Sequence, residues 1–413
     1  MALPTLTATI DFSTGPGFAS PAVYGVGIYG VNAYAASATS VTVDVSSRVD
    51  RIEINRGRNV TADLFQSGEL SLRILDTNGD FNPMNTASPY YGLLNPMRKV
   101  TIVANFVGVN YPLFAGYITD YQTITPKFVG DLVYTTIRAS DAFRLANLAT
   151  ITTVAGAGSG QLSGARINAI LDAISWPASM RDIDAGKTTM QVDSGASRNA
   201  LSAMQAVELS EYGALYVSAA GSFVFQDRTA TSTSVTATPT VFDDVGIGIQ
   251  YANAQWVLDD RLVYNSANVT RLGGVLQNAS NADSIALYFL HSANYTDLLM
   301  ETDAEALSFA RAYVASRQAT VVRCDSLTLD LYTASYDDGI IAALSLDFFS
   351  PVTITTTQPG ASTLSKTEQV FGVHHSISPS SWKTTFVTLE PVIDAAIYGS
   401  TLYGVYGESV YGY

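Results

Sequence analysis

The side chains able to do chemistry in this 413-residue chain are few and lie far apart. The histidines are His291, His374 and His375, and the single cysteine is Cys324. His374 and His375 are adjacent in a run that alternates like a strand, where neighbouring side chains point to opposite faces. The two rings therefore cannot hold one metal ion together. One cysteine allows neither an internal disulfide nor a cysteine-based zinc site, so we expect Cys324 to be a core residue.

Acidic residues suggest two further kinds of site. Asp-Asp pairs stand at 243–244, 259–260 and 337–338, but a glycosidase needs two carboxyl groups facing each other across a cleft. The segment 76–82, DTNGDFN, has the spacing of a calcium loop, yet its glycine is misplaced and no bidentate acid follows. We therefore expect its side chains to bond their own backbone in turns. With no G-x-S-x-G, H-E-x-x-H or phosphate-binding motif, the sequence predicts a non-enzyme without metal or cofactor.

Composition limits the class of protein. The formal net charge is -14, which argues against a protein that grips nucleic-acid phosphates. It does not argue against a conduit, because an acidic wall would repel DNA that passes through. There is no apolar run of 18 residues and no basic region followed by an apolar stretch at the N-terminus. We therefore expect no membrane span and no signal peptide, and assembly in a cytoplasm.

Short alternating runs and turn signals organise the first third of the chain. The runs 70–75, 100–103 and 113–118 have the period of half-buried strands, and Asn-Gly, Ser-Pro and Asn-Pro pairs lie between them. Helical periodicity predicts helices at 165–175, 198–211 and 303–317, and Thr302-Asp-Ala-Glu305 has the form of a capping box. The segment 213–228 predicts a hairpin with its turn at Ala220-Gly221.

Two blocks of motifs carry a family resemblance. The first is the order strand, DTNGDFNP loop, NPMR before a strand, and LFAGY strand within 51–121. The second is Trp176-Pro177, RDID at 181–184, GALYV at 213–217, GSFVF at 221–225 and Asp227-Arg228. Together they resemble tail hub (baseplate hub, minor tail) proteins of long-tailed bacteriophages.

The resemblance implies a mainly β fold with some α structure (α+β) and several domains. Two tail-tube-like β-barrel or sandwich domains would flank a smaller α+β module. We expect a Tyr/Gly-rich arm at 1–46, a first tube-like β domain at 47–149, a helix–helix–hairpin module at 150–253, a second tube-like domain at 254–395 and a Tyr-Gly arm at 396–413.

The runs of the first and last domains also follow one order. Leu70–Leu75, VTIV at 100–103, AGYI at 115–118 and VYTTIR at 133–138 correspond to Leu327–Leu331, VTIT at 352–355, FGVH at 371–374 and TTFVTL at 384–389. Short β runs also match by chance, so duplication and coincidence both remain open.

The implied function is a structural hub of a phage tail tip in the virion, assembled in the host cytoplasm. Three chains with two modules each would form a homotrimeric ring that continues the tail-tube lumen and adapts a sixfold tube to a threefold tip. The implied partners are a distal tail or tail-tube protein, the tape-measure protein and tip or fibre proteins. DNA would pass through without sequence-specific binding.

Tyr-Gly pairs in the two arms suit docking on neighbouring subunits, since tyrosine supplies contact area and a hydroxyl group. The candidate interaction residues are Tyr24, Tyr29, Tyr34, Tyr398, Tyr403, Tyr406 and Tyr411. Loosely ordered termini of biased composition are the alternative. Two other functions stay open: a tail-associated host-glycan or receptor-binding protein, stacking sugars on Trp176, Trp256 and Trp382, and a cell-wall hydrolase.

Overall fold

The computed structural model describes residues 3–12, 41–59, 64–124, 132–234, 237–246, 248–332, 337–358, 360 and 362–390. These residues are mainly β-strand, with seven α-helices among them. The predicted mixture of mostly β and some α structure is confirmed. Within the described ranges, no helix is both long and apolar enough to cross a membrane.

Among the described residues up to Ser140, the secondary structure consists of β-strands and one 3-10 turn. Leu70, Leu72 and Ile74 are buried while Glu69 and Arg73 are exposed, as the alternation predicted. The strands are β1 (Thr5–Asp11), β2 (Thr42–Asp44), β3 (Val49–Asn59), β4 (Leu64–Phe65), β5 (Glu69–Leu75), β6 (Lys99–Phe106), β7 (Val109–Ile124) and β8 (Tyr134–Ser140), with a 3-10 turn at Ser46–Arg48.

A helix–helix–hairpin module follows and confirms the predicted elements to within a few residues. Its helices are α1 (Ala142–Leu148), α2 (Ser163–Ala173), α3 (Ala200–Glu211) and α4 (Arg228–Thr233), with a 3-10 turn at Ala178–Met180. Its strands are β9 (Thr150–Ile151), β10 (Gln161–Leu162), β11 (Arg181–Ile183), β12 (Thr189–Met190), β13 (Arg198–Asn199), β14 (Ala214–Val217) and β15 (Phe223–Gln226).

The described residues of the last part of the chain contain nine strands, which return to the main sheet or form a small one. They are β16 (Thr240–Asp243), β17 (Asn253–Val257), β18 (Ser266–Arg271), β19 (Gln277–Ser280), β20 (Ser292–Leu298), β21 (Arg323–Asp330), β22 (Pro351–Thr356), β23 (Leu364–Ser378) and β24 (Ser381–Leu389), the last of which completes a hairpin with β23. Its helices are α5 (Ala282–Tyr288), α6 (Asp303–Arg317) and α7 (Asp337–Ser345). The capping box at the start of α6 is present, since Thr302 and Glu305 satisfy each other's backbone N–H groups.

The two predicted tube-like domains are not separate barrels or sandwiches. The described strands of both join in one open 14-stranded sheet, whose main path runs β17-β21-β24-β23-β3-β5-β8-β7-β6-β1-β2. The join is the antiparallel pairing of β3 with β23, from Ile52 opposite Ile377 to Gly57 opposite Gly372. Sequence reasoning missed this join because runs 300 residues apart give no local signal of which edges meet.

The first residues of the predicted N-terminal arm belong to this sheet. β1 pairs antiparallel with β6 over its whole length, from Thr5 opposite Asn105 to Asp11 opposite Lys99. Ala8, Ile10 and Phe12 are buried in the main core. The edge of the first β region therefore begins well before residue 47.

A small unit is inserted into the second β region between β17 and β21. The sheet β19-β18-β20 packs against α6 and has a core of its own. Phe309 and Tyr313 of α6 stack at 6.1 Å between ring centroids, and Tyr295 of β20 meets both rings edge-on. Among the described residues between β3 and β5, the corresponding gap in the first β region holds the short strand β4, so the two regions differ at this insertion.

The join between β3 and β23 makes a prediction about stability. A Cβ atom on Gly57 would lie 3.0 Å from Gly372 Cα and 3.2 Å from the Phe371 carbonyl oxygen, both backbone atoms. Gly57→Val should therefore lower the free energy of unfolding by about 1–3 kcal/mol in urea denaturation. Gly158→Val is the matched control, because a Cβ atom there meets nothing within 4 Å. Equal stability of the two variants would contradict the close approach.

Candidate assembly surface

The seven tyrosines predicted as interaction residues, Tyr24, Tyr29, Tyr34, Tyr398, Tyr403, Tyr406 and Tyr411, lie outside the described residues. Their role stays a prediction. The surface that the structure does describe is the large sheet, with its internal join, its solvent face and its edges.

The two β regions have the same strand order. We call β3, β5, β8, β7 and β6 the first half-sheet, and β17, β21, β24, β23 and β22 the second half-sheet. In each, neighbours in that order pair antiparallel. Because the chain also visits both sets in the same sequence, the halves have one topology. This supports the duplication that the sequence left open.

A backbone detail recurs at the same place in both halves. Met97 before β6 and Phe349 before β22 have left-handed φ values of 66° and 64°, which side chains other than glycine rarely adopt. The Met97 N–H donates to the Ile118 carbonyl at 2.7 Å, and the Phe349 N–H donates to the Val370 carbonyl at 2.8 Å. The two positions share an unusual backbone conformation and an equivalent backbone hydrogen bond. This agreement favours duplication over a chance match of strand order.

The seam, which is the β3–β23 pairing, is also bridged by side chains on the solvent face. Glu53 of β3 accepts a hydrogen bond of 2.9 Å from the Ser376 hydroxyl, and its other oxygen lies 3.3 Å from His374 Nε2. Glycines stand opposite each other at residues 57 and 372, where the backbones approach closely. The seam is therefore stabilised by specific side-chain contacts in addition to its backbone pairing.

Arg56 ties three parts of the chain together beneath the seam. Its side chain is almost fully buried on β3, and its Nη2 donates to the Val217 carbonyl of β14 and to Asp347, each at 3.2 Å. The guanidinium also stacks over the Phe348 ring at 4.8 Å from the centroid. A buried cation needs such partners, since desolvation without them is costly. Arg56 therefore fixes the middle module against both half-sheets.

An aromatic cluster surrounds this point and joins the same three parts. Phe65 of β4, Tyr216 of β14 and Phe348 lie within 4.7–5.2 Å of one another between centroids. Phe349 meets Phe371 of β23 edge-on at 5.2 Å. Buried aromatic pairs of this geometry add to the area that they bury. The three regions thus share one continuous hydrophobic core.

The opposite face of the joined sheet is polar and open to solvent. Its side chains across the seam include Asn55, Ser71, Arg138 and Thr385. Part of it forms a depression of about 650 Å³ lined by Glu53, Glu69, Asp120, Arg138 and neighbouring residues. A wide sheet with an apolar core on one side and a polar face with this depression on the other is suited to line a water-filled space.

Comparison with solved structures identifies this architecture. The chain matches the 43 kDa tail protein of prophage MuSo2 from Shewanella oneidensis with a TM-score of 0.53 and 10% identity, covering 85% of this chain and 96% of that one. It matches the tail protein from Neisseria meningitidis MC58 with a TM-score of 0.58 and 9% identity, covering 95% and 98%. The chain has the fold of phage tail proteins. The resemblance inferred from the motifs is confirmed at the level of the fold.

Sequence comparison adds nothing to this assignment. No family model matches the chain, and no curated protein matches it. At 9–10% identity the shared property is the fold, so the role within a tail is argued below from the geometry.

The three tryptophans do not form a surface for sugar stacking. Trp176 and Trp382 are buried, with 2% and 3% of their surface exposed. Trp256 is partly buried against the main core and donates from Nε1 to the Thr356 hydroxyl at 2.9 Å. The alternative in which all three rings stack on sugars is therefore not supported by their packing.

Several of the acidic and thiol groups considered from the sequence are engaged within the fold. Asp76 accepts bonds from the Phe81 N–H and the Thr135 hydroxyl and organises the turn. Asp259 holds Arg323 through both carboxylate oxygens at 2.9 Å. Cys324 is buried, as expected, and burial raises the pKa of its thiol to about 12.

Several buried charged residues were missed by sequence reasoning. Arg166 donates to the Gly158 and Gln191 carbonyls, and Glu211 accepts from Ser163 and from the Thr188 N–H. Like Arg56, they sit in otherwise apolar stripes. A charged residue within an apolar stripe is a local signal that its side chain is buried. It does not reveal which carbonyl or N–H groups the fold brings to that side chain.

His375 and His374 point to opposite faces of β23, as predicted. His375 is buried at the seam with Nδ1 at 3.0 Å from the Thr384 hydroxyl, whereas His374 is partly exposed. Burial, with a smaller effect of Arg56 and His374, lowers the pKa of His375 to about 3. The folded seam therefore requires the neutral ring.

This pKa predicts a pH dependence of stability. Below pH 6.5 the unfolded chain binds a proton at His375 that the folded chain does not, so His375 by itself lowers stability on acidification, by about 2 kcal/mol between pH 6.5 and 5. Burial raises the pKa of Glu368 to about 7 and that of Asp141 to about 6, and these two groups change stability in the opposite direction, which offsets the loss in the wild type. His375→Gln keeps the contributions of both carboxyl groups but not that of His375, so between pH 6.5 and 5 it should gain about 2 kcal/mol relative to the wild type. His374→Gln, on the adjacent residue, should follow the wild type.

Chemical denaturation at several pH values measures the slope directly. If the stability of His375→Gln and of the wild type changed by the same amount between pH 6.5 and 5, the buried neutral histidine would be refuted.

Proposed function

We propose that this chain is the structural hub of a phage tail tip. Three copies close a ring that continues the tail-tube lumen and adapts a sixfold tube to a threefold tip. The observation that supports this most is the seam, where two half-sheets of one topology are joined edge to edge within one chain.

The seam gives the proposal its geometry. A head-to-tail contact whose rotation closes generates a ring. One chain already contains one such contact between two similar modules. Three chains present six modules, which match a sixfold tube above, while the inserted unit and other differences between the halves leave threefold symmetry for the tip below.

The polar face of the sheet is the proposed wall of the lumen. It carries both signs of charge, with Glu53, Glu69 and Asp120 interspersed among arginines such as Arg138. A continuous basic track, which DNA-binding proteins use, is not what this face offers. Passing DNA would be neither held by its phosphates nor read by sequence.

Partners follow from the ring. A distal tail or tail-tube protein would stack above it, tip or fibre proteins below it, and the tape-measure protein would enter the lumen. The inserted unit supports contacts outside the ring, since it exposes a set of apolar side chains typical of protein interfaces: Val275, Leu276, Leu287, Phe289 and Leu290. We assign the domain boundaries and the Tyr-Gly arms to this scheme as proposals, with the arms docking on neighbouring subunits.

We further propose that the hub is not an enzyme. Its candidate groups have structural partners: His375 bonds Thr384, and His291 Nε2 lies 3.0 Å from the Tyr288 carbonyl. Trp176 and Trp382 are buried and Trp256 is partly buried against the core, so the packing of these rings does not favour the glycan-binding alternative.

Light scattering tests the ring. The purified chain should approach three times its monomer mass as concentration rises, and electron micrographs of that fraction should contain rings. A heterologous interface of a stable ring should bury more than about 1,000 Å². A monomer at every concentration without rings would contradict the proposal. Clearing of host peptidoglycan in a zymogram would contradict the non-enzymatic part alone.

A further inference from the structure

Several strand edges of the large sheet, such as the outer edge of β2, have no strand partner among the described residues, and two of these edges correspond to strands of the seam. One is the outer edge of β17, which pairs only with β21. The other belongs to residues 120–124 of β7, which pair with β8 on one side, whereas the pairing with β6 ends at Tyr117. We call these the β17 edge and the β7 edge.

The duplication shows what each edge corresponds to. In the second half-sheet, the β7 edge corresponds to the part of β23 that pairs with β3. Both strands carry a bulge at the same point, between Ile118 and Asp120 in β7 and between Val370 and Gly372 in β23. In the first half-sheet, the β17 edge corresponds to the edge of β3 that pairs with β23. The two open edges are therefore the counterparts of the two strands that meet at the seam.

The composition of the edges fits a strand partner. Exposed edge strands of soluble proteins are usually protected by lysine, proline or inward charges. β17, with the sequence NAQWV, has none of these, and residues 120–124, DYQTI, have one acid at their start. Ile124 and Leu258 at the ends of the edges are about 60% exposed, at 61% and 62%. Both edges are thus open to pairing.

We infer that the β17 edge of one copy pairs antiparallel with the β7 edge of the next copy, in the register of the seam. This inference rests on the proposed ring and names the surfaces that close it. At the seam His374 stands opposite Asn55 and Ser376 opposite Glu53. The strand registers of the two halves carry the second of these pairs onto Ile124 opposite Gln255. Continuing the two strands antiparallel from that pair places Gln122 opposite Val257.

A second copy of this chain is the partner that fits these edges. The β17 edge corresponds to β3 and the β7 edge corresponds to β23, and β3 and β23 are the two strands that pair at the seam. The polar faces also agree. Asn253 and Gln255 of β17 are exposed, as are Gln122 and the partly exposed Asp120 of β7. Ala254 and Trp256 pack on the core side. The pairing would therefore continue the polar wall and the apolar layer behind it without a break.

Closure in this way defines the bore. The path from β17 to β7 through the seam contains eight strands, β17-β21-β24-β23-β3-β5-β8-β7. Three copies give 24 strands, and at about 4.8 Å spacing their circumference is about 115 Å, a diameter of about 37 Å before strand tilt widens it. A barrel of that width, with its polar face inward, leaves room for duplex DNA. The strands β6, β1 and β2, with β22 and β16, branch away from this wall.

Disulfide cross-linking between copies tests the register. Gln122→Cys combined with Val257→Cys places two thiols opposite each other, within the separation of about 4.4–6.8 Å between Cα atoms that a disulfide spans. Mild oxidation of the double variant should give covalent dimers and trimers on a non-reducing gel, with three chains as the end point. Native Cys324 is buried and stays in every variant.

Two further pairs serve as controls. Asn55→Cys with His374→Cys, the equivalent pair at the seam, should form a disulfide within one chain. Gln122→Cys with Asn253→Cys is four residues out of register, about 13 Å along the strand, and should stay uncross-linked.

The outcomes separate this inference from the ring itself. If light scattering gives a trimer but only the seam pair cross-links, the β17–β7 register is wrong and the ring stands on other contacts. If the off-register pair cross-links as well as the designed pair, the register is also wrong. If every variant and the wild type remain monomeric, both the register and the proposed ring fail.

Discussion

The antiparallel pairing of β3 with β23 is the contact on which the rest of the structure depends. It joins strands from opposite ends of the chain, and it turns two half-sheets of one topology into a single surface. Glycines at 57 and 372 let the backbones approach, and Glu53 links the strands on the polar side. Beneath it, Arg56 would lose its partners if the halves separated, and an uncompensated buried charge is strongly destabilising. The seam is therefore held on both faces at once.

The same contact connects fold and proposed function. The two half-sheets pair edge to edge within one chain. The same pairing can therefore form between half-sheets of different chains, provided that the corresponding edges are unpaired. The two faces of the sheet then have distinct tasks. The apolar side builds one core with the helix–helix–hairpin module and the aromatic cluster around Phe348, while the polar side remains available to face water and passing DNA. The shared core and the proposed lumen wall come from one arrangement of strands.

Much of the local structure could be predicted from the sequence, because its causes are local. The alternation in β5, the capping box of α6 and the opposite directions of His374 and His375 follow from backbone geometry over a few residues. The shared sheet could not be predicted in this way, since it depends on which of many similar edges meet. The burial of Arg56, Arg166 and Glu211 was missed for the same reason: their partners are carbonyl and N–H groups that only the tertiary fold supplies. The internal repeat was visible but ambiguous, and Met97 and Phe349 support it through backbone conformation rather than residue type.

An electron cryomicroscopy map of the assembled chain, resolved well enough to separate strands, tests the central claim most directly. The account predicts a closed wall of 24 strands with Glu53, Asp120 and Arg138 facing the bore, in which the contact between copies repeats the β3–β23 pairing. A ring whose bore is lined by other elements, or an assembly in which the polar face of the sheet points outward, would contradict it.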